Sequence, residues 1–283
     1  MVRLWYAIGL ALILAGLFHL GVLAIDGGPW EGPVSWRKPF TFGVSFGLSV
    51  LTLAWVARFV PLRGRTRNVL LGGFTGAAVT EYALITLQAW RGVPSHFNMA
   101  STVDSLVSRS LAAGGGSLVV VAIWLTVASF RPNPGVSPSM RLAVRAGFAT
   151  LLASMLFGAV MIARGVIEVY SGSQQLAYTV ATSLKPAHAV LMHGVLLLPA
   201  LAWLAERLLA TETARLRLVR QAACTYVAIA ALVSALTVAG ITLVGPSTAS
   251  VLCAGAISAL AITALTLRKA AARGRPPLRS TGI

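Results

Sequence analysis

Eight apolar runs, each about as long as a bilayer is thick, set what this chain of 283 residues can fold into. A helix that crosses a membrane needs roughly 20 consecutive, largely apolar residues. Backbone groups in lipid must form their hydrogen bonds within the protein, so each run is expected to be a helix. The runs cover approximately residues 4–25, 39–60, 69–90, 107–130, 142–167, 186–206, 222–244 and 248–267. The sequence therefore predicts an all-α, polytopic transmembrane helix bundle with about eight spanning helices.

The segments between the runs are too short to hold a soluble domain. One transmembrane domain is expected over residues 1–267, followed by a basic tail over residues 268–283. The first run is longer than the core of about 7–15 residues that a secretory signal carries, so we expect a retained helix. Charged residues make up only 11% of the chain, against roughly a quarter in soluble proteins. Lipid is therefore the expected surroundings of most of the chain.

Basic residues are concentrated in every second loop and in the C-terminal tail. Examples are Arg63, Arg65 and Arg67 between the second and third runs. The positive-inside rule then places both the N-terminus and the C-terminus in the cytoplasm. The net charge of +16 lies in short clusters between apolar runs, without interleaved aromatic residues. The lipid bilayer is therefore the expected partner, and nucleic-acid binding is not expected.

Polar groups enter the membrane in the stretch from Glu81 to Asn98, EYALITLQAWRGVPSHFN. Glu81 lies nine residues before the end of the third run, roughly 13 Å deep at the helical rise of about 1.5 Å per residue. Gln88 returns to the same helix face after seven residues, Arg91 ends this polar stripe, and His96 follows in the loop. An intramembrane carboxyl is a functional hypothesis by default. The stretch is therefore the candidate site.

Other runs place polar residues at comparable depth. His19 lies in the first run, and Arg164 and Glu168 form a predicted i,i+4 ion pair in the fifth. His188 and His193 lie in the sixth run, about 140° apart around a regular helix, so they cannot both point at one metal ion. We expect one of these two histidines to face the first or third run and the other to face the loop.

The loop from Asp26 to Lys38 reads DGGPWEGPVSWRK. Its glycines, prolines and tryptophans are typical of an ordered lid or a partly re-entrant turn, and a simple connector is equally compatible with them. Lys38-Pro39 opens the second run and Lys185-Pro186 opens the sixth, which places each proline in the first turn of a helix.

Glycines predict close helix packing at two places. Gly72 and Gly76 lie four residues apart in the third run, and Gly114, Gly115 and Gly116 are consecutive in the fourth. The triple glycine has a second interpretation, because it loosens a helix and can open backbone carbonyls to a cavity.

Three segments together resemble a family of uncharacterised bacterial multi-pass membrane proteins, over residues 30–205. They are WRKPF at residues 36–40, LQAWRGVPSHFN at residues 87–98 and PAHAVLMHGVLLLP at residues 186–199. The resemblance implies a multi-pass protein of the bacterial cytoplasmic membrane and attaches no activity to it. In that family an acidic-Leu-Arg turn precedes the histidine segment. Here Ser183-Leu184-Lys185 precedes it, so the acid of a loop-side ion pair is missing.

The first functional hypothesis is a transporter or proton-coupled carrier of an unknown small molecule. In it Glu81 titrates, Gln88 and Arg164 contact the substrate, and the Asp26–Lys38 lid controls access from outside. The further candidates for a substrate or proton site are Arg91, His19, His96 and His193. The alternative is a structural or assembly protein, whose buried polar groups only fix the helix register.

The second alternative is a membrane redox protein with a b-type haem held by His19 and His193. A metal-dependent hydrolase that uses His19, His188 or His193 with Glu81 is the least supported, because no recognised metal-ligand spacing occurs. The sequence also has no phosphate-binding loop and no dinucleotide fingerprint. It therefore favours a protein that is not an enzyme.

Overall fold

The computed structural model describes residues 2–180 and 182–241. Helices make up 81% of this part, and it contains no strand. The α-helices are α1 (Val2–Asp26), α2 (Arg37–Val56), α3 (Gly64–Trp90), α4 (Thr102–Ser129), α5 (Pro138–Tyr170), α6 (Gln174–Ala177), α7 (Lys185–Met192), α8 (Gly194–Leu208) and α9 (Glu212–Val238). One turn of 3₁₀-helix follows α2 and another precedes α7. The predicted all-α fold is confirmed.

Seven helical segments are long and apolar enough to cross a membrane, and they match the first seven apolar runs. They are Arg3–Asp26, Arg37–Phe59, Gly64–Trp90, Thr102–Ser129, Pro138–Tyr170, Gln174–Leu208 and Glu212–Val238. The predicted polytopic bundle is therefore confirmed for these seven. The eighth run at 248–267, the end of the seventh, Cys253 and the basic tail lie outside the described residues.

Several helices extend beyond their apolar runs. The third begins at Gly64 instead of residue 69, and the fifth runs from Pro138 to Tyr170 instead of over 142–167. A helix of 27 or 33 residues is longer than the roughly 20 residues that cross the hydrocarbon, so we expect its polar ends at the headgroup level. The loop charges predict that the loop between α1 and α2 lies on the outer side of the membrane. We therefore call this end of the bundle the outer end.

The helices pack largely in chain order. Helix α1 packs on α2, α2 on α3, α3 on α4 and α4 on α5, while α5 also contacts α7, α8 and α9. One apolar core joins these helices, and its most buried large side chains include Phe148, Leu125, Met140 and Val56. The polar groups of the candidate site lie between the helices near the outer end.

Glycine controls the close contact between α1 and α2. A Cβ atom at Gly16 would lie 2.8 Å from the backbone nitrogen of Val44, and one at Gly43 would lie 2.7 Å from the Cα of Gly16. Alanine would therefore force these helices apart. The predicted pair at Gly72 and Gly76 makes no such contact, since a Cβ at Gly76 meets nothing within 4 Å. A Cβ at Gly72 would make only an ordinary contact with the Trp5 ring at 3.6 Å, so the prediction of a close helix approach at this pair is wrong.

The sixth span is broken into separate helices, where the sequence predicts one continuous helix. Helix α7 ends at Met192 and α8 begins at Gly194, with His193 between them. At the break the carbonyl of Val190 accepts a hydrogen bond from the Tyr226 hydroxyl of α9. His193 itself keeps helical backbone angles, with φ −74° and ψ −15°, so the interruption is one residue long.

Candidate functional site

Glu81 is buried in α3, with 5% of its surface exposed. Its Oε1 atom has no hydrogen-bond partner. In the described part of the chain no lysine or arginine forms an ion pair with it. An uncompensated charge at this depth costs about 2.5–3.5 kcal/mol on membrane-insertion scales. Glu81 is thus a buried carboxyl that no neighbouring group satisfies.

The triple glycine of α4 makes the space that Glu81 fills. A Cβ atom at Gly114 would lie 2.7 Å from Glu81 Oε1 and 2.9 Å from its Cγ. At Gly115 the Oε1 atom is 4.0 Å away, and at Gly116 nothing lies within 4 Å. Gly114 is therefore the residue of the three that the carboxyl contacts. Of the two interpretations of the triple glycine, close packing describes it, and the packed partner is a side chain.

An apolar layer lies next to Glu81 on the outer side. Ile85 follows Glu81 by one helical turn and clusters with Val107 and Leu111 of α4. All three side chains are buried, and Phe42 of α2 packs against them. Helices α3 and α4 are antiparallel neighbours, so these three side chains lie nearer the outer end than Glu81 does. The layer therefore separates Glu81 from the outer surface.

A polar cluster closes the bundle above this layer. Gln88 is completely buried, and its Nε2 donates to Asp104 Oδ1 at 2.9 Å. Arg91 donates to the same Oδ1 atom at 2.7 Å and also to the Gln88 Oε1 atom. Ser101 donates to Asp104 Oδ2 at 2.6 Å. Asp104 thus holds together the outer ends of α3 and α4, and we call these four residues the outer latch.

Asp104 and Ser101 are site residues that the sequence reasoning missed. Ser101 caps α4 by accepting a hydrogen bond from the backbone nitrogen of Asp104 at 3.1 Å. The pattern Ser-x-x-Asp before an apolar run is a capping signature that can be read from sequence. It would have located the start of α4 and therefore the acid that faces Gln88.

His19 lies in an aromatic cluster with its hydrogen-bonding groups occupied. Its Nδ1 is 2.8 Å from the Ala15 carbonyl, which can only accept, so Nδ1 carries the proton. Its Nε2 then accepts from the indole N–H of Trp90 at 3.1 Å. The Tyr82 hydroxyl lies 3.1 Å from Nδ1, and the Trp36 ring stacks on the imidazole at 6.1 Å. No lone pair of His19 is left for a metal ion.

The structure does not bring His19 and His193 together. Helix α1, with His19, packs on α2 and α3, whereas His193 joins α7 and α8, which contact α5 and α9. His193 is exposed, and its Nδ1 is bonded to the Ala189 carbonyl of its own helix. These two residues therefore do not fit a shared haem, because the iron would need free nitrogens on opposite sides of one cavity.

His188 faces α5, and neither histidine of the sixth span faces α1 or α3. The His188 Nδ1 lies 2.8 Å from the Ser154 carbonyl, and Ser154 Oγ donates to the His188 carbonyl at 2.7 Å. The expectation that one of the pair points toward the first or third run is therefore wrong. Helix α7 packs against α5 and α9 instead. Among the described residues no group of three His, Cys, Asp or Glu side chains could hold a metal ion.

Arg164 is not part of the cluster around Glu81. It is exposed on α5, and in the region the structure describes it forms no ion pair with Glu168. The predicted i,i+4 pair is therefore not formed. Exposed charges on a helix gain only a few tenths of a kcal/mol from such a pair.

His96 lies beside the outer latch and not in it. It is half-buried, its Nδ1 is 2.9 Å from Ser95 Oγ, and its ring packs against Phe42. Burial and, second, the charge of Lys38 lower the pKa of His96 to about 4. The imidazole is therefore neutral at pH 7. The next residue, Phe97, has a φ of 61°, and its ring fills the space beside Gly165 of α5.

The loop from Asp26 to Lys38 is folded and covers the outer end of α3. Ser35 Oγ donates to the Pro29 carbonyl at 2.7 Å, and Trp36 donates to Asp26 Oδ2 at 2.6 Å. One narrow gap is lined by loop residues and by α3 residues, among them Val34, Ser35, Ile85 and Ala89. Of the two interpretations of this loop, the ordered lid agrees with these contacts.

Comparison with protein-family models, curated proteins and solved structures finds no match to this chain. The resemblance over residues 30–205 therefore stays a prediction.

Proposed function

We propose that this multi-pass membrane protein is a proton-coupled carrier in which Glu81 binds and releases the coupled proton. The observation that supports this most is the buried carboxyl of Glu81, whose Oε1 has no hydrogen-bond partner. A buried acid without a counter-ion changes its charge by exchanging a proton, because the ionised form is costly in low dielectric. A purely structural carboxyl would instead be expected to have hydrogen-bonded partners.

The layers above Glu81 support a state that is closed to the outside. The apolar layer of Ile85, Val107 and Leu111 keeps water from the carboxyl, and the outer latch lies above it. The folded lid covers the same end of α3. Alternating access requires that such layers open on one side at a time. In the open state, breaking the Arg91–Asp104 bond would admit the substrate.

The test is substrate-evoked proton movement in proteoliposomes that contain a pH-sensitive dye. Wild-type protein is screened against a panel of small solutes, and Glu81→Gln is expected to abolish the proton signal. Glu168→Gln is the matched control, since it removes a carboxyl at the outer end of α5 and should leave the signal unchanged. A Glu81→Gln protein that moves protons as the wild type does would contradict the proposal.

The structural or assembly alternative is favoured by the outer latch, in which the polar groups of Gln88 and Asp104 bond to each other and to Arg91. A saturated network of this kind fixes the helix register without any chemistry. The same variant separates the two functions. A carrier should lose proton movement on Glu81→Gln and stay folded, whereas a scaffold should lose stability.

A further inference from the structure

The charges at the outer surface are not balanced where the lid meets the sixth span. Arg37 donates to Glu31 Oε2 at 3.1 Å, and Lys185 Nζ lies 4.0 Å from the same atom. Lys38 is the residue after Arg37, and Lys185 shares the Glu31 carboxylate with Arg37, so the three cations lie in one region. Among the described residues Glu31 is the one carboxylate that pairs with any of these cations. Two positive charges therefore remain uncompensated.

This cluster brings together the two Lys-Pro pairs that the sequence places far apart. Lys38 and Lys185 lie in the first turns of α2 and α7. Positive charge is unfavourable in the first turn of a helix, because the helix dipole is positive there. Stability alone therefore does not account for grouping these cations at two helix starts.

The lid holds the cluster in a defined geometry. Arg37 Nε donates to the Trp30 carbonyl at 2.7 Å, and Lys38 Nζ donates to the Pro33 carbonyl at 2.6 Å. The Arg37 side chain is only 15% exposed, whereas Glu31 is 64% exposed. The lid thus fixes Arg37 and Lys38, whereas Lys185 and the Glu31 carboxylate are more exposed, and Glu31 is free to exchange.

We propose that Arg37, Lys38 and Lys185 form a binding site for a phosphate group, and that Glu31 occupies this site when no ligand is bound. Arginine and lysine side chains are the usual partners of phosphate oxygens, with arginine able to bind two oxygens at once. A doubly charged phosphate that displaces Glu31 would face three positive charges and would neutralise two of them. The site lies in the lid, so it identifies the substrate class of the proposed carrier as phosphate-bearing. This assignment of the substrate class rests on the proposed function.

The test is calorimetric titration of inorganic phosphate into the full-length protein in nanodiscs of zwitterionic phosphatidylcholine. Wild-type protein should bind phosphate saturably. Lys185→Gln should raise the dissociation constant by about tenfold or more, as expected for the loss of a hydrogen bond to a charged group. Glu31→Gln should strengthen binding, because the competing carboxylate is gone. Arg164→Gln is the matched control, since it removes an exposed outer cation elsewhere and should bind as the wild type does.

A second set of nanodiscs, which contain anionic phosphatidylglycerol, distinguishes the two sources of phosphate. Loss of phosphate binding in these discs assigns the site to a lipid headgroup, and unchanged binding assigns it to a free solute. Either result supports the site. Absence of saturable binding in phosphatidylcholine would overturn it. So would an unchanged affinity of Lys185→Gln, or an equal loss in Arg164→Gln.

The two proposals fail separately. If Glu81→Gln leaves proton movement intact while Lys185→Gln still loses phosphate binding, the carrier function is refuted and the anion site stands. If phosphate binding is absent while Glu81→Gln abolishes proton movement, the anion site is refuted and the carrier stands.

Discussion

Replacing Gly114 by alanine tests whether Glu81 lies where the structure places it. The new methyl group would lie 2.7 Å from Glu81 Oε1, 2.9 Å from Cγ and 3.2 Å from Cδ. Three contacts this short cannot be relieved by a small rotation of one atom, so the carboxyl group or α4 has to move. Overpacking of this kind typically costs about 1–3 kcal/mol.

The matched control is Gly116→Ala, two residues along the same helix. A Cβ at this position meets nothing within 4 Å. It therefore measures the gain of about 1 kcal/mol that alanine brings to a helix over glycine, without any clash. Relative to this control, Gly114→Ala should lower the free energy of unfolding by about 1–3 kcal/mol.

The assay is reversible unfolding in mixed micelles with increasing dodecyl sulfate, followed by tryptophan fluorescence. Glu81→Ala removes the atoms that the new methyl group would touch, so the double variant Glu81→Ala with Gly114→Ala should recover most of the loss. The coupling free energy should then approach the cost of the clash, within the range of about 0.5–3 kcal/mol known for contacting pairs. Equal stability of the Gly114 and Gly116 variants, or no coupling to Glu81, would refute the contact.

Two further predictions concern the outer end. Asp104→Ala should lower the free energy of unfolding by about 1–3 kcal/mol, because it leaves the buried Gln88 amide with only the long bond of 3.4 Å to the Pro94 carbonyl. Asp26→Ala removes an exposed acceptor and should cost less. Equal losses would contradict the role of the latch. The lowered pKa of His96, about 4 against 6.5 in the unfolded chain, means that the unfolded chain binds the proton first as the pH falls. Stability should be constant above pH 6.5 and should fall between pH 6.5 and 4 by about 1.4 kcal/mol per unit at most. His96→Gln should remove this dependence, and a variant that keeps it would show that another group is responsible.

Much of the site could be located in the sequence, but its partners could not. The spacing of seven between Glu81 and Gln88 predicts one helix face, and the structure buries both residues. Their contacts come from α4, where Gly114 faces Glu81 and Asp104 faces Gln88. The rotation of α4 about its own axis decides these pairs. The spacing of residues within α3 cannot predict how α4 is rotated.

The sequence predicts the contacts of the histidines less well than the burial of the Glu81 carboxyl. Depth along each helix suggested that His19 and His193 share one layer, and depth is fixed by residue count. Their directions depend on which helices are neighbours and on the break at His193. In the structure His19 lies in an aromatic cluster with Trp90, and His193 is exposed. Equal depth is therefore a weak predictor of contact in a bundle of this size.

The sequence by itself determined that this chain is a polytopic helical membrane protein, because lipid leaves the backbone of a long apolar run no alternative to a helix. It also determined the depth of Glu81, since the rise of a helix is constant. Only the tertiary structure decided that Glu81 fills a gap at Gly114, that Asp104 joins Gln88 and Arg91, and that Arg37 and Lys185 converge on Glu31. These pairs join different helices or loops, and they form only when packing has fixed how each helix is rotated against its neighbours.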